Sequence, residues 1–379
     1  MPACQVSLDG FEWMTIGGCG FAAAYIAYVL MKIIKHRGSL ADVRRVAAKT
    51  EDSAPAEDGE VNPRNVFILG AGFTRAIHSA APLNDDLLRQ IVGSGPDSSP
   101  LGRAWAHYRE ANIEVLLTKF DLDLSSGKNG WTGDDRNAIN AQLASYMQRF
   151  RFAVDTPWLH PFLSLVEDND VIVSLNYDCA LEGFLDYHGA WSPKGGYVRI
   201  YNALDDSLPE NSRNIRILKV HGSESFRLAH FIDKPEFVSV AVEINPDLFP
   251  RSGAHSRLGG GIDSRPYIIA PSFVKQFALE LDYLILDAIR FAREAENLVL
   301  IGCGVRPEDN HLQLVLTSFL KTPRWKQKKL FVVSPGAADV AERIRRFFSR
   351  KIFEHGNLVC LTAGLKEALP DLCIRLKQS

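Results

Sequence analysis

Four short, mostly apolar runs constrain this chain more than anything else in it: Val66–Leu69, Val171–Leu175, Leu298–Ile301 and Leu330–Val333, each bounded by turn residues. Runs of this length without polar alternation offer no face to water, which is the condition of a strand in a parallel sheet covered on both sides. Between them, apolar residues recur at helical spacing over Leu83–Ile91, Leu101–Phe120, Asn137–Phe152 and Phe277–Ala295. The alternation predicts an α/β chain: a Rossmann-like doubly wound parallel sheet, with a helical inserted subdomain between the first two strands. The stretch from Ala190 to Arg265 reads as irregular. It holds extended pieces at Ile215–Val220 and Phe237–Val242 and a Gly-rich loop at Gly259–Gly261. Past the last run, Ala337–Arg350 reads as one basic amphipathic helix packing on the sheet.

The amino-terminal segment departs from this pattern. No charge interrupts Met14–Met31, and Ile33 and Ile34 extend the apolar stretch past Lys32. At about 1.5 Å per residue the run approaches the ~30 Å hydrocarbon core of a bilayer. Asp9 and Glu12 precede it, while Lys32, Lys35, Arg37, Arg44 and Arg45 follow. A single-pass transmembrane helix at 14–34, inside a segment 1–45, is therefore predicted, with everything downstream cytoplasmic. A polar, acidic, Pro-containing linker follows at 46–63, and the main domain runs over 64–379. The rival reading is a helix whose Gly17, Gly18, Gly20 and Ala22–Ala24 pack against the domain of a soluble cytoplasmic chain.

Composition then removes several classes. With 43 Lys and Arg against 45 Asp and Glu, the chain has no excess charge to hold a polyanion, so nucleic acid is not an expected partner. At 379 residues and 46% hydrophobic, it supplies a large core and is no disordered protein. Six cysteines, at 4, 19, 179, 303, 360 and 373, form no Cys-x-x-Cys pair. Neither a disulfide framework nor a structural zinc site is expected from such spacing.

Chemistry-bearing residues gather at the ends of the runs. After the first comes GAGFTRAI, with Gly70, Ala71, Gly72, Thr74 and Arg75. Two glycines there permit a tight turn, and the following helix offers its positive end to a diphosphate. Arg75 stands where a dehydrogenase fingerprint has its third glycine, and no strand-terminal acidic residue follows about twenty positions on. The pair alone reads equally as a plain turn. After the second run, LNYDCALE brings Asn176 and Asp178 to the same sheet edge, Asp178 reading either as a site residue or as a cap for the next helix. ILKVHGSES places His221 beside a glycine, one of ten histidines in the chain. LVLIGCGVRPEDNHL repeats the glycine turn at Gly302 and Gly304 before Asp309 and His311, with an N-capping Asp309 as the plain alternative.

Taken in order, GAGFT, LNYD, VHGS, APSFVKQF (Ala270–Phe277) and IGCGVRPEDNHL resemble the sirtuin-like (SIR2-like) domains of bacterial antiphage proteins. The resemblance covers most of the chain from about Val66 to Pro335. It implies that Gly70, Ala71, Gly72 and, in the family's Ser position, Thr74 hold the nucleotide diphosphate. A Pro-containing turn follows in the family, here Ala81-Pro82-Leu83. Arg75, Gly302 and Gly304 belong to the same implied cofactor loops. Asn176 and Asp178 match the family's Asn-x-Asp at the nicotinamide riboside, His221 its catalytic histidine, and Asp309 and His311 the loop closing over the adenosine end. The chain departs from the family at Cys303-Gly304, where Tyr-Ser is frequent, and at Ser334-Pro335, where Asn-Pro is.

Sirtuin deacylases carry a small zinc module with two Cys pairs, and this sequence has no such pairs. The resemblance therefore implies NAD as substrate with water as acceptor, giving nicotinamide and ADP-ribose, in a defence effector acting as an oligomer or with a second subunit. The other classes it leaves are a non-catalytic sensor of NAD or an ADP-ribose derivative, and a zinc-free deacylase or ADP-ribosyltransferase.

Overall fold

In the computed structural model the described residues are 62–93, 98–152, 156–197, 213, 215–231, 234–242, 262–272, 281–306, 309–348 and 350–378. The predicted membrane segment 14–34, the linker up to residue 61 and the loop 259–261 lie outside them. Among the described residues no helix is long and apolar enough to cross a membrane. The chain divides into a unit Met1–Glu60 and a unit Val61–Ser379, and the described residues belong to the second.

The strands are β1 (Asn65–Leu69), β2 (Val171–Ser174), β3 (Arg216–Lys219), β4 (Gly222–Phe231), β5 (Lys234–Val242), β6 (Ile262–Ile268), β7 (Asn297–Ile301), β8 (Lys329–Val333) and β9 (Leu358–Leu361). Six of them form one sheet in the order β3-β2-β1-β7-β8-β9, every pair parallel. Val66 faces Val171 on one side and Leu298 on the other, and all five residues of β1 and of β7 are buried. The four expected runs are thus the four central strands. Chain order reverses between β1 and β7, and a doubly wound sheet opens a crevice at the carboxyl ends of such a pair.

The opposite, amino edge is stitched by polar side chains. The Asn65 backbone N–H donates to Asp170 Oδ1 at 2.9 Å and its Nδ2 to Asp170 Oδ2 at 3.0 Å. Asn297 Nδ2 donates to Asn65 Oδ1 at 2.9 Å, so the starts of β1 and β7 and the residue before β2 are tied together.

Among the described residues twelve helices surround the sheets. The first five are α1 (Ala71–Ile77), α2 (Asn84–Val92), α3 (Pro100–Tyr108), α4 (Ile113–Ser125) and α5 (Gly133–Met147). Then come α6 (His160–Leu165), α7 (Ala180–Tyr187), α8 (Pro193–Gly196), α9 (Asp282–Glu294), α10 (Asn310–Leu320), α11 (Ala337–Phe347) and α12 (Leu365–Lys377). Helices α2 to α5 form the inserted subdomain, with its own core of Leu88, Leu101, Ile113, Leu117, Phe120 and Leu143.

Several expectations need correction. The span 101–120 is two helices, because Arg109 turns left-handed at φ 54° and Asn112 starts the next helix by accepting from the N–H groups of Glu114 and Val115. The span expected from Asn137 begins at Gly133, where Thr132 and Asp135 make a capping box, and gives way after Met147 to a 3-10 turn, Gln148–Phe150. Of the span 277–295, α9 is described from Asp282 onward, and 273–280 lie outside the described residues.

The supposedly irregular stretch contributes an antiparallel sheet in the order β5-β4-β6. Its pattern hid because Ser223, Glu224 and Ser225 are all buried beside Phe226, so β4 shows no apolar alternation. At the carboxyl terminus the amphipathic helix stops at Phe347, and β9 and α12 follow it unforeseen. The burial of β9 is only partial, which blurs the strand signal, and α12 carries Pro370 inside it, a residue that argues against helix.

Candidate active site

At the carboxyl ends of β1 and β7 two glycine turns cross. Gly70 N–H donates to Ile301 O at 3.0 Å, and Gly72 N–H to Gly302 O at 3.1 Å. A side-chain carbon on Gly72 would stand 2.7 Å from Gly302 Cα, and one on Gly302, whose φ is +63°, 2.5 Å from the Gly72 carbonyl carbon. The turns therefore need glycine because they touch each other. The Gly70 and Gly72 amides are both engaged in this crossing. Gly304 is under no such pressure, its nearest neighbour being the Arg306 side chain at 3.6 Å.

Beside the crossing lies a cavity of about 460 Å³, within the range of small-molecule and cofactor sites. Of the residues expected at the site, Gly70, Ala71, Gly72, Thr74, Asn176, Asp178, His221, Gly302, Gly304 and Asp309 line it. Arg75 and His311 do not. Arg75 points back along its own loop, donating to Ala81 O at 2.7 Å and so holding the Ala81-Pro82 turn. His311 stands behind His221.

The polar centre is a chain of directed hydrogen bonds. Thr74 Oγ1 donates to Asp178 Oδ2 at 2.8 Å and therefore accepts from Asn176 Nδ2 at 3.1 Å. The same Nδ2 donates to Gly70 O at 3.0 Å. With both amide hydrogens engaged, Asn176 keeps Oδ1 as its acceptor for anything in the cavity. Asp178 Oδ1 meanwhile accepts from Ala180 N–H at 3.1 Å. One oxygen of Asp178 thus meets the first N–H of α7 and the other meets Thr74. Thr74→Val is expected to strand two polar partners and to cost about 1–3 kcal/mol, whereas Thr74→Ser keeps the bonds; denaturant midpoints of the two variants check this.

Beneath this chain the polar groups are buried. Lys219, wholly enclosed at the end of β3, donates to the Asp178 carbonyl and pairs with Glu182 Oε1 at 2.9 Å. Tyr177 OH donates to Ile269 O at 2.8 Å, and burial pushes its phenol far above the usual range. Burial likewise raises the thiols of Cys179 and Cys303. Cys303 donates to Ile68 O at 3.3 Å and is a packing residue, in keeping with a neutral thiol.

Glu224, 1% exposed, has Arg151 at 3.4 Å from Oε2 and no partner on Oε1. Burial raises its carboxyl to about 7, against the opposing pull of Arg151. The folded state thus binds this proton more tightly than the unfolded chain, so the stability it contributes is complete below about pH 4.5 and is lost as pH rises through about 7. Glu224→Gln, neutral throughout, is expected to gain about 3 kcal/mol relative to the natural chain between pH 4 and pH 8. Denaturation at the two pH values reads the difference.

Several cavity residues were not foreseen. Arg306, on the loop after Gly304, pairs with Asp85 at 2.8 Å and reaches Glu114 at 3.9 Å, joining that loop to α2 and α4. Asn84 Nδ2 holds the other Glu114 oxygen at 2.9 Å. At the far end Arg343 of α11 donates to Gly304 O at 2.5 Å, with Asp339 nearby in the lining. The charged residue Arg306 stood in plain view between two flagged positions. In sequence, Glu114 and Arg343 look like any residue on the solvated face of a helix.

No family model matches the sequence, and no curated protein matches it either. The chain is similar to solved Sir2 structures. One, from work on the mechanism and regulation of Sir2 enzymes, is 13% identical, with 84% of this chain and 93% of that chain covered and a TM-score of 0.37. A Sir2 homologue mutant in complex with ADP-ribose is 14% identical over 83% and 92%, at 0.39. A Sir2 homologue–NAD complex is 12% identical over 83% and 89%, at 0.36. Overlaps this loose assign nothing by themselves, and the architecture rests on the strand order and register above. Among the described residues no three of His, Cys, Asp and Glu gather as a metal site.

Proposed function

We propose that the cavity is a SIR2-like NAD hydrolase site, cleaving NAD to nicotinamide and ADP-ribose. The observation that carries this reading is the Asn176–Thr74–Asp178 chain with His221, all lining one cavity at the reversal of a parallel sheet. Each of these residues is one that the sequence resemblance names as a site residue.

In the proposed reaction the bond from nicotinamide nitrogen to ribose C1′ breaks, the electron pair leaves with nicotinamide, and water adds to C1′. The sugar passes through an oxocarbenium-like state, which fixed dipoles stabilise without reorganising. Asn176 Oδ1 accepts from the ribose or the attacking water, its amide being locked from behind by Gly70 O and Thr74. Asp178, through Thr74, keeps that amide in one orientation and adds negative charge near the cationic sugar. His221 takes the proton that water releases.

Charge supports a small-molecule partner, since the chain has a formal net charge of -2. The apolar run 14–34 and the linker support a membrane-held antiphage effector, triggered by a second copy or another subunit. Incubating the full chain in mild detergent with NAD is expected to release nicotinamide and ADP-ribose in equal amounts. Binding without turnover would favour a sensor instead, and ADP-ribose attached to a protein acceptor would favour a transferase.

A further inference from the structure

We infer that Arg306 and Arg343 form a phosphate-binding clamp over Gly304, and that Asp85 occupies the Arg306 arm until a phosphate displaces it. The clamp lies in the cavity already described, so the identity of its nucleotide rests on the hydrolase reading, whereas its chemistry does not. A side-chain carbon on Gly304 would meet Arg306 Cγ and Nε at 3.6 Å and Arg343 Nη1 at 3.9 Å. Two guanidiniums thus converge on one spot beside a glycine that leaves it open. Both arginines line the cavity, and no other Lys or Arg among the described residues does. Each keeps donors for a ligand. Arg306 gives Nη2 to Asp85 at 2.8 Å and sets Nη1 3.9 Å from Glu114, while its Nε has no hydrogen-bond partner among the described residues. Arg343 gives Nη1 to Gly304 O.

The local backbone makes side-chain donors necessary. Gly70 and Gly72 N–H are turned to Ile301 O and Gly302 O, and the guanidiniums supply donors in their stead. A guanidinium presents paired N–H groups in one plane, matching two oxygens of a phosphate. The loop between the two glycine turns and α10 is bent for this purpose. Val305, buried between Gly304 and Arg306, sits at φ +45°, a backbone that β-branched residues rarely take. The bend buries the valine and brings the next side chain back over Gly304. Strain of this kind collects at segments that grip ligands. Carboxylates share the space, Asp85 of α2, Glu114 of α4 and Asp339 of α11, so an anion enters only by exchange of partners. The side chain of Asp85 is 74% exposed and that of Arg306 26%, and a pair so open to water holds weakly. A phosphate, with more charge and the fitting geometry, replaces it. Glu114, whose other oxygen is held by Asn84 Nδ2 at 2.9 Å, stays in place and keeps Arg306 from swinging out.

The test uses the full chain in mild detergent and reads binding by calorimetry, with inorganic pyrophosphate, ADP-ribose and 2′-phospho-ADP-ribose as probes. Arg306→Gln and Arg343→Gln are each expected to weaken pyrophosphate about 10- to 100-fold, the range for a hydrogen bond to a charged group. Arg306→Lys, which keeps the charge without the fork, should weaken it less. Asp85→Asn is expected to tighten it about 2- to 5-fold, and only while Arg306 is present. The two nucleotides tell the source of the phosphate. ADP-ribose weakened as much as pyrophosphate assigns the clamp to the diphosphate, and weakening confined to the 2′-phosphorylated form assigns it to a phosphate on the adenosine ribose. Binding that survives both glutamine variants would overturn the inference, as would a natural chain that binds none of the three probes. So would an equal gain from Asp85→Asn in the Arg306→Gln chain, which would reflect the field of one carboxylate and not an exchange of partners. None of these readings needs nicotinamide release, so a chain that binds through the two arginines and leaves NAD intact ends the hydrolase reading alone.

Discussion

His221→Ala and Asn176→Ala are each expected to lower NAD hydrolysis about 100- to 10,000-fold, the range for loss of a positioned acid–base group or a transition-state dipole. Neither change should unfold the chain. Among the contacts of His221 are a backbone carbonyl and the rings of His311 and Tyr177, and Asn176 sits at the cavity wall, where truncation lets water reach the freed groups. The two variants separate by substrate affinity. Asn176→Ala also releases Thr74 and Gly70 O from their donor, so the cofactor loop loosens and KM for NAD should rise. His221→Ala leaves that loop intact and should act on kcat alone. Steady-state kinetics with nicotinamide as the product followed gives both numbers, and full turnover in His221→Ala would sink the mechanism.

Gly302→Ala should give the largest loss of stability. The new methyl group would lie 2.5 Å from backbone atoms of Gly72 and Phe73, which no rotamer change relieves, and the backbone would have to keep φ at +63°. A left-handed conformation costs a non-glycine residue roughly 1–2 kcal/mol, and overpacking a rigid contact adds about 1–3 kcal/mol. A total of about 2–5 kcal/mol is expected in the denaturant midpoint. Gly304→Ala, with only a side chain at 3.6 Å, should stay within about 1 kcal/mol. Equal losses in both would mean that the crossing of the two turns is not what the glycines serve.

The contrast between Gly302 and Gly304 marks the limit of what the chain's letters disclose. Both stand in one Gly-x-Gly turn, and only the neighbouring loop tells them apart. The central strands were legible because burial on both faces leaves continuous apolar runs, and the site residues because they follow those runs directly. Strand β4 was hidden by its buried Ser223, Glu224 and Ser225, whose polar groups meet one another, Tyr177 O and Arg151. His311 was expected at the site and lies outside the cavity lining. Its helix turns it away from the cavity, toward a ring that sequence order puts ninety positions earlier. Arg306 and Glu114 meet across the cavity from distant segments, a pairing that no local spacing announces.

The amide and carboxylate stitching at the amino edge of the sheet bears on the chemistry at the other end. Strands that are apolar on every face fit their neighbours almost as well after sliding by a residue, so burial alone leaves the register of β1, β2 and β7 weakly specified. Asn65, Asp170 and Asn297 remove that freedom, because their short side chains pair only when the three strand starts are level. At ~3.3 Å per residue the five residues of β1 carry this alignment about 16 Å along the sheet. It fixes there the relative heights of Gly70, Asn176 and Gly302. The polar trio thus serves as a datum from which the geometry of the candidate site is levelled.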